Sequence, residues 1–270
     1  MVTTIEETTK TLVEYRIEAG VAVITMTDPP ANTYTYEMNR QLDEAILKAR
    51  MDNDVHVIVL TGAGDKFFSA GANIKMLASV DPTFKYYFCL HANETLLRLE
   101  HTPKLVIAAL NGHTVGGGLE IAMACDLRIA RGDTADKVGL PEVNLGVLPG
   151  TGGTQRLSRM VGKSKAIELM VTGNTFSMEE AKELGLVNEL LDRESFMESV
   201  MEYARQFCPP NKAAKAVGHI KRSVQTGWEI PMESALVVER ELQALLFNSQ
   251  DAKEGLNAYV DKRPATFTAK

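Results

Sequence analysis

The stretch that decides the fold is Asn111-Gly-His-Thr-Val-Gly-Gly-Gly-Leu-Glu-Ile-Ala-Met-Ala-Cys-Asp126. It follows an apolar run, residues 104–110, that is typical of a buried strand. Three successive glycines then open a segment that is apolar on nearly every face, and such glycines let other atoms approach the main chain closely. The N–H groups at a helix N-terminus suit an anion or an oxygen that becomes negative. We therefore expect a buried helix from about Gly117 whose first turn borders a functional site.

Glu120 is the residue of this stretch that favours chemistry. An ionised glutamate among apolar neighbours is costly unless it has partners or a task. The alternative is that the glycines serve helix packing and Glu120 only favours the helix N-terminus. A capping box cannot explain it, because position 117 is glycine and has no side chain to reciprocate. An oligomeric scaffold with no catalytic role remains open at this point.

Two further segments carry small residues and a second glutamate. Phe67-Phe-Ser-Ala-Gly-Ala-Asn-Ile-Lys75 places small residues in a turn before a short helix, which leaves the main chain accessible. In Val138-Gly-Leu-Pro-Glu-Val-Asn-Leu-Gly-Val-Leu-Pro-Gly-Thr-Gly-Gly-Thr-Gln-Arg156, the proline fixes the backbone just before Glu142. Neither nucleotide-binding fingerprint fits, because a P-loop needs glycine where Leu157 stands and a dinucleotide motif needs glycine or alanine where Gln155 stands. The five histidines lack metal-ligand spacing, so no metal site is expected.

Strand and helix patterns alternate through the first part of the chain. Residues 12–18 and 21–27 predict a hairpin, residues 36–50 an amphipathic helix, and residues 55–61, 104–110 and 126–130 buried strands. This alternation is typical of an α/β core. Helical patterns then occupy residues 177–184, 193–207, 211–226, 231–247 and 251–260, with a capping box from Ser177 to Glu180. We expect a core over residues 1–200 and a helical region over residues 201–270.

Composition limits the possible partners. A formal charge of −6 argues against a general nucleic-acid or membrane-surface binder, since such proteins need positive charge to meet phosphates. The three cysteines are too few and too widely spaced for a disulfide framework. The first twenty residues lack the apolar stretch of a signal peptide, so we expect a cytoplasmic protein.

Taken together and in this order, four motifs resemble the crotonase (enoyl-CoA hydratase/isomerase) superfamily, and most closely enoyl-CoA hydratase. They are Phe-Ser-Ala-Gly-Ala-Asn-Ile-Lys at 68–75, the glycine-rich motif at 111–120, Gly-Leu-Pro-Glu at 139–142 and Leu-Pro-Gly-Thr-Gly-Gly-Thr-Gln-Arg-Leu at 148–157. The resemblance implies an α/β fold, a crotonase-like spiral of ββα units with a C-terminal helical trimerisation region. It also implies an acyl-CoA thioester substrate, no separate cofactor because coenzyme A is part of the substrate, and a homotrimer or a homohexamer built as a dimer of trimers.

The resemblance also implies roles for particular residues. The N–H groups of Ala72 and Gly117 would form an oxyanion hole for the thioester carbonyl, while Glu120 and Glu142 would hold and activate a water molecule. The residues expected to line the coenzyme A site are Ala70, Ala72, Asn73, Ile74, Lys75 and Gly117, joined near the C-terminus by Tyr259 and Lys262, which could reach the coenzyme A of a neighbouring subunit.

The presence of both glutamates favours a hydratase, because isomerases of this superfamily usually retain only the glutamate that matches Glu142. The alternatives are an isomerase or hydrolase acting on another acyl-CoA, and a non-catalytic coenzyme A- or RNA-binding protein. The sequence departs from common family patterns at Asn73, Val138 and the slightly longer segment 132–137. Tyr34, Tyr36 and the aromatic residues of 84–88 are also distinctive, and they leave the length, branching and ring content of the acyl group open.

Overall fold

A computed structural model describes residues 10–270. The first element in the described residues is the expected hairpin, in which β1 (Val13–Glu18) pairs antiparallel with β2 (Val21–Met26). Ala19 and Gly20 make the turn, both with positive φ. All six residues of β1 are at least partly exposed, whereas five of the six residues of β2 are buried. The hairpin therefore covers one edge of a sheet and leaves β2 inside it.

The larger sheet has six strands in the order β1-β2-β3-β5-β7-β10. Beyond the hairpin every pairing is parallel. The added strands are β3 (Val57–Gly62), β5 (Leu105–Leu110), β7 (Leu127–Arg131) and β10 (Glu189–Leu191). All six residues of β3 are buried because the sheet is covered on both faces, which explains its continuous apolar run.

A smaller four-stranded sheet lies beside the first, in the order β4-β6-β8-β9. Its members are β4 (Phe67–Ser69), β6 (His113–Val115), β8 (Lys137–Gly139) and β9 (Phe176–Ser177), and only β9 runs antiparallel to its neighbour. β4, β6 and β8 each follow a strand of the larger sheet and precede a helical segment. The chain therefore repeats a ββα unit three times, as the resemblance implied.

Eleven α-helices occur in the described residues. They are α1 (Tyr36–Met51), α2 (Ile74–Ser79), α3 (Pro82–Glu100), α4 (Gly117–Met123), α5 (Gly153–Val161), α6 (Lys163–Thr172), α7 (Met178–Glu183), α8 (Phe196–Arg205), α9 (Ala214–Trp228), α10 (Met232–Phe247) and α11 (Gln250–Val260). The helices and strands predicted from periodicity agree with these bounds to within three residues. The capping box at Ser177 and Glu180 is present. The sequence patterns did not identify α3, α5 and α6, so the part of the chain before residue 177 contains more helix than predicted.

The predicted division at residue 200 falls inside α8. Phe196, Val200 and Ala204 of this helix are buried against residues of the larger sheet, which makes α8 part of the core. Farther along, Lys221 of α9 forms a buried ion pair with Asp126, with 2.8 Å between Nζ and Oδ2. The division into two regions stays a prediction. Among residues 10–270, no helix combines the length and the apolar content needed to cross a bilayer.

Asn111 fastens the ends of β3 and β5, at the point where the chain moves to the smaller sheet. Its Oδ1 accepts hydrogen bonds from the Gly62 N–H and the Thr61 hydroxyl, each at 3.1 Å. Its Nδ2 donates to the carbonyl oxygens of Gly62 and Gly64, each at 2.8 Å. Asn111 is buried, so these main-chain groups depend on it for their hydrogen bonds.

We expect Asn111→Ala to lower the free energy of unfolding by at least about 2 kcal/mol, because it leaves several buried polar groups unsatisfied. Chemical denaturation at one fixed protein concentration measures the change. Ser177→Ala, which removes an exposed helix cap, serves as the control and should cost only about 1 kcal/mol. A loss for Asn111→Ala no larger than that of the control would contradict this role.

Candidate active site

Two glycine-containing turns meet main chain to main chain. β4 and β6 are parallel neighbours, and the turns that follow them therefore lie side by side. Gly71 has φ +84°, and a Cβ at this position would lie only 2.7 Å from the Gly117 nitrogen. A Cβ on Gly118 would lie 2.2 Å from the carbonyl oxygen of Ser69. Only glycine permits these approaches, which explains why small residues are required in both motifs.

Two main-chain amides at this junction are free. The Tyr34 N–H donates to the Gly71 carbonyl and the Asn73 N–H donates to the Tyr34 carbonyl, each at 3.0 Å. This parallel bridge uses groups of Gly71 and Asn73, so the N–H of Ala72 between them takes no part in it. Gly117 is the first residue of α4 and has no preceding helical turn to accept its N–H. Neither amide donates to another group within residues 10–270. The structure thus brings the two predicted donors together on adjacent turns.

The residues after Ala72 form the start of α2. The side chain of Asn73 caps this helix by accepting from the Met76 N–H at 3.0 Å. Ile74 and Lys75 are exposed, whereas Ala70 and Ala72 are partly buried. The segment therefore offers main chain, one apolar side chain and one positive charge at the rim of the junction.

Glu120 is held by amides from the glycine-rich segment after Glu142. It lies on α4 and is only 2% exposed. Its Oε1 accepts hydrogen bonds from the N–H groups of Thr151 and Gly153, each at 2.7 Å. A Cβ on Gly153 would lie 2.9 Å from the same oxygen. Sequence reasoning considered the glycine-rich segment only as a possible phosphate-binding loop. It missed that N–H groups of this segment bind a carboxylate of the chain itself.

The environment of Glu120 acts on its pKa in two directions. Burial raises the pKa, and the two amides and the positive charge of Arg156 oppose that rise. The net effect is an increase. The hydrogen bonds therefore offset part of the cost of a buried charge, which was the problem that the sequence posed.

Glu142 lies beside the same junction. It begins a short 3-10 turn, Glu142–Leu145, and its Oε1 lies 3.0 Å from the point that a Cβ on Gly116 would occupy. Its Oε2 is buried and accepts no hydrogen bond from a described residue. Burial and the nearby charge of Glu120 raise the pKa of Glu142 to about 7. The two glutamates are thus neighbours in unequal environments, one held by amides and one without a partner for its second oxygen.

Tyr34 is a site residue that sequence reasoning recognised only as unusual. Its ring fills the space next to Gly117, where a Cβ would lie 2.2 Å from Cε1 of the ring. Its hydroxyl makes a 2.9 Å hydrogen bond with the hydroxyl of Thr151, a residue that also contacts Glu120 through its N–H. Burial raises the pKa of Tyr34, which keeps the phenol neutral. No local pattern identifies this role, because Tyr34 and Thr151 are far apart in the chain.

An aromatic group extends from Tyr34 toward the surface. Phe88 stacks on Tyr34 with 5.7 Å between ring centroids, and Phe84 stacks on Phe88 at 6.3 Å. Tyr36 contacts both Phe84 and His91. α3 supplies Phe84, Phe88 and His91, so the helix that the sequence patterns missed provides the apolar side of the site.

Tyr259 and Lys262 lie at the C-terminal end of α11 and just beyond it. Tyr259 is 86% exposed at the end of α11, which packs against α10. No hydrogen bond or ring contact within the described part of the chain joins Tyr259 or Lys262 to the two glutamates or the two free amides. The expectation that they reach coenzyme A stays a prediction.

Comparison with known proteins places this geometry in a family. The family model described as enoyl-CoA hydratase/isomerase matches residues 16–270. The chain is 37% identical over 247 residues to the short-chain-enoyl-CoA hydratase of Clostridium acetobutylicum, covering 91% of this chain and 93% of that protein. It is 35% identical over 254 residues to the crotonyl-CoA hydratase of Syntrophomonas wolfei, covering 94% and 96%.

Solved structures agree with the sequence comparison. An enoyl-CoA hydratase from Geobacillus kaustophilus superposes with a TM-score of 0.94 at 46% identity, over 97% of this chain and 98% of that one. The enoyl-CoA hydratase from Bacillus anthracis gives a TM-score of 0.90 at 31% identity, over 96% and 100%. These matches confirm the predicted crotonase-like α/β fold. With both the family model and these relatives spanning nearly its whole length, the chain belongs to the enoyl-CoA hydratase/isomerase family.

Proposed function

We propose that this protein is an enoyl-CoA hydratase, which adds water reversibly to a 2-enoyl-CoA to give a 3-hydroxyacyl-CoA. The observation that carries the proposal is the pairing of Glu120 and Glu142 beside two free main-chain amides. Relatives with 35–37% identity that are named short-chain-enoyl-CoA and crotonyl-CoA hydratases support the same activity.

The amides of Ala72 and Gly117 would stabilise the charge that forms during the reaction. Attack of water at Cβ moves an electron pair through the conjugated system to the thioester oxygen, which becomes an enolate. Two preorganised N–H donors in a water-poor site stabilise such an oxygen by about 3–4 kcal/mol each. The donors belong to the main chain and are fixed by the fold, so little reorganisation is needed as the charge develops.

The two glutamates would divide the proton transfers. We assign Glu120 to accept a proton from the attacking water and Glu142 to deliver a proton to Cα. Burial raises the pKa of both glutamates, but two N–H donors and the charge of Arg156 oppose that rise at Glu120. One oxygen of Glu142 accepts no hydrogen bond from a described residue, and this difference supports the assignment. Two close carboxyl groups titrate as a pair, so the active enzyme is the form that carries one proton on the pair.

The coenzyme A portion would lie along the turn that follows β4. Ala70, Ala72, Asn73, Ile74 and Lys75 belong to this turn and the start of α2, and the exposed Lys75 suits the phosphates of coenzyme A. No cofactor other than the coenzyme A of the substrate enters this scheme. Tyr259 and Lys262 would act on the coenzyme A of a neighbouring subunit.

Assembly into a homotrimer or a homohexamer would provide that neighbour. Exposed apolar side chains on α9, α10 and α11 support association through these helices; among them are Ile220, Val224, Trp228, Leu245 and Leu256. A contact with another chain would remove this apolar surface from water. The number of subunits and a cytoplasmic location stay predictions.

Removal of either carboxyl group should abolish most of the activity. With crotonyl-CoA in ¹⁸O-labelled water, the native enzyme should place the label at Cβ, and Glu120→Gln and Glu142→Gln should each lower kcat by about 10²- to 10⁴-fold. Glu189→Gln, which alters an exposed ion pair on β10, is the control and should retain full activity. Absence of label at Cβ with the native enzyme would favour an isomerase or hydrolase instead.

The pH dependence should report the proton on the glutamate pair. Because the pKa of Glu142 is raised to about 7, the pair loses its last proton as the pH rises through that value, and kcat/KM should then fall. Hydration consumes no net proton, so the dehydration of 3-hydroxybutyryl-CoA should show the same alkaline decline. Steady-state rates in both directions measure this. A decline in one direction alone, or none above neutral pH, would refute the shared-proton assignment.

Gly71→Ala should disable the amide pocket. The new Cβ would lie 2.7 Å from the Gly117 nitrogen, so kcat should fall about 10²- to 10³-fold, as when an oxyanion donor is lost. Gly185→Ala is a matched control, since Gly185 has a similar φ of +76° but no atom within 4 Å of its added Cβ. Both variants carry similar backbone strain, so equal activities in the two would contradict the role assigned to the N–H groups of Ala72 and Gly117.

A further inference from the structure

Arg156 makes a two-pronged ion pair that joins α5 to the end of α3. Its Nε and Nη2 donate to the two carboxylate oxygens of Glu100, at 2.8 and 2.7 Å. The side chains are only 12% and 22% exposed, so the pair is well shielded from solvent. Its third nitrogen, Nη1, donates to the carbonyl oxygen of Thr151 at 3.1 Å. Arg156 therefore contacts the turn whose amides hold Glu120.

The guanidinium of Arg156 occupies a notch in that turn. Gly152 has φ +104°, and a Cβ there would lie 2.0 Å from Nη1 of Arg156. The guanidinium thus fits only because residue 152 has no side chain. Thr151 and Gly153, on either side of the notch, direct their N–H groups at Oε1 of Glu120. The 151–153 turn therefore binds Arg156 through a carbonyl oxygen and binds Glu120 through two N–H groups.

α3 supports the same turn at a second point. Phe88 of α3 stacks on Tyr34, and the Tyr34 hydroxyl is hydrogen bonded to the hydroxyl of Thr151. Thr151 is thus held through its carbonyl by Arg156 and through its side chain by Tyr34. Both supports begin on one helix, which ties the position of the turn to the position of α3.

We propose that Glu100 and Arg156 are positioning residues, which hold the 151–153 turn so that its two amides keep the Glu120 carboxyl group hydrogen bonded and oriented toward the reacting water. The proposal deepens the hydratase function and rests on it. Both residues would act through the turn, because the hydrogen bonds of Arg156 go to Glu100 and to the carbonyl oxygen of Thr151. The charge of Arg156 also opposes the rise in the pKa of Glu120 that burial causes, as the hydrogen bonds from the turn do.

Isosteric and charge-conserving variants separate this role from general stability. Glu100→Gln weakens the two-pronged contact, and Arg156→Lys keeps the positive charge but loses the planar fork. Asp43→Asn is the matched control, because Asp43 makes an equivalent two-pronged pair with Arg98, also on α3, and touches no residue of the site. All three variants should retain folded structure.

With crotonyl-CoA, we expect Glu100→Gln and Arg156→Lys to lower kcat by about 10- to 100-fold, as small misplacements of a reacting group do, with KM changed less than about threefold. The acid limb of the kcat profile should move to higher pH, because Glu120 becomes easier to protonate. Asp43→Asn should change neither quantity. Unchanged kcat and an unchanged acid limb in both site variants, or equal losses in Asp43→Asn, would overturn the proposal.

A spectroscopic measurement tests the positioning role independently of turnover. Infrared difference spectra follow protonation of the Glu120 carboxyl in free enzyme, with the Glu120→Gln variant identifying its band. Glu120 should protonate at a higher pH in Glu100→Gln and Arg156→Lys than in native enzyme or Asp43→Asn. If the pH of Glu120 protonation is the same in both site variants as in native enzyme, the positioning role is overturned, even if the enzyme hydrates crotonyl-CoA. A native enzyme without hydratase activity would instead refute the proposed function.

Discussion

The close approach of the turn at Gly71 to the first residue of α4 is the contact on which the rest of the site depends. A side chain at either Gly71 or Gly117 would collide, with main chain in the first case and with Tyr34 in the second. Two parallel strands of the smaller sheet hold these turns in register. The N–H groups of Ala72 and Gly117 become neighbours as a result, and the glutamates are then arranged around them.

The second determinant is the unequal treatment of two buried acids. The fold directs two amides and, more distantly, a guanidinium at Glu120, but leaves one oxygen of Glu142 without a hydrogen bond among the described residues. Desolvation raises the pKa of both groups, and the nearby Glu120 charge adds to the rise for Glu142. A pair of carboxyl groups that differ in this way can give and accept a proton within one catalytic step.

The sequence predicted those parts of the fold that local pattern controls. Periodicity located five of the six strands of the larger sheet and the C-terminal helices, whereas strands of two or three residues, such as β9 and β10, are too short to show alternation. α3 was missed because apolar residues occur on its exposed side, including Tyr86 and Leu90, as well as its buried side. The partners of Glu120 were missed because Thr151 and Gly153 act through main-chain N–H groups, which leave no mark in residue type beyond small size.

A cradle made of peptide groups has a consequence for how such an enzyme can diverge. A substitution at Ala72 changes the side chain but keeps the main-chain N–H of this residue, unless proline is introduced. The capacity to hold an enolate is therefore inherited with the backbone. Glu120 and Glu142, by contrast, are side chains on that frame and can be exchanged individually. New reactions can therefore arise when Glu120 or Glu142 is replaced, while the backbone that positions the two N–H groups is retained.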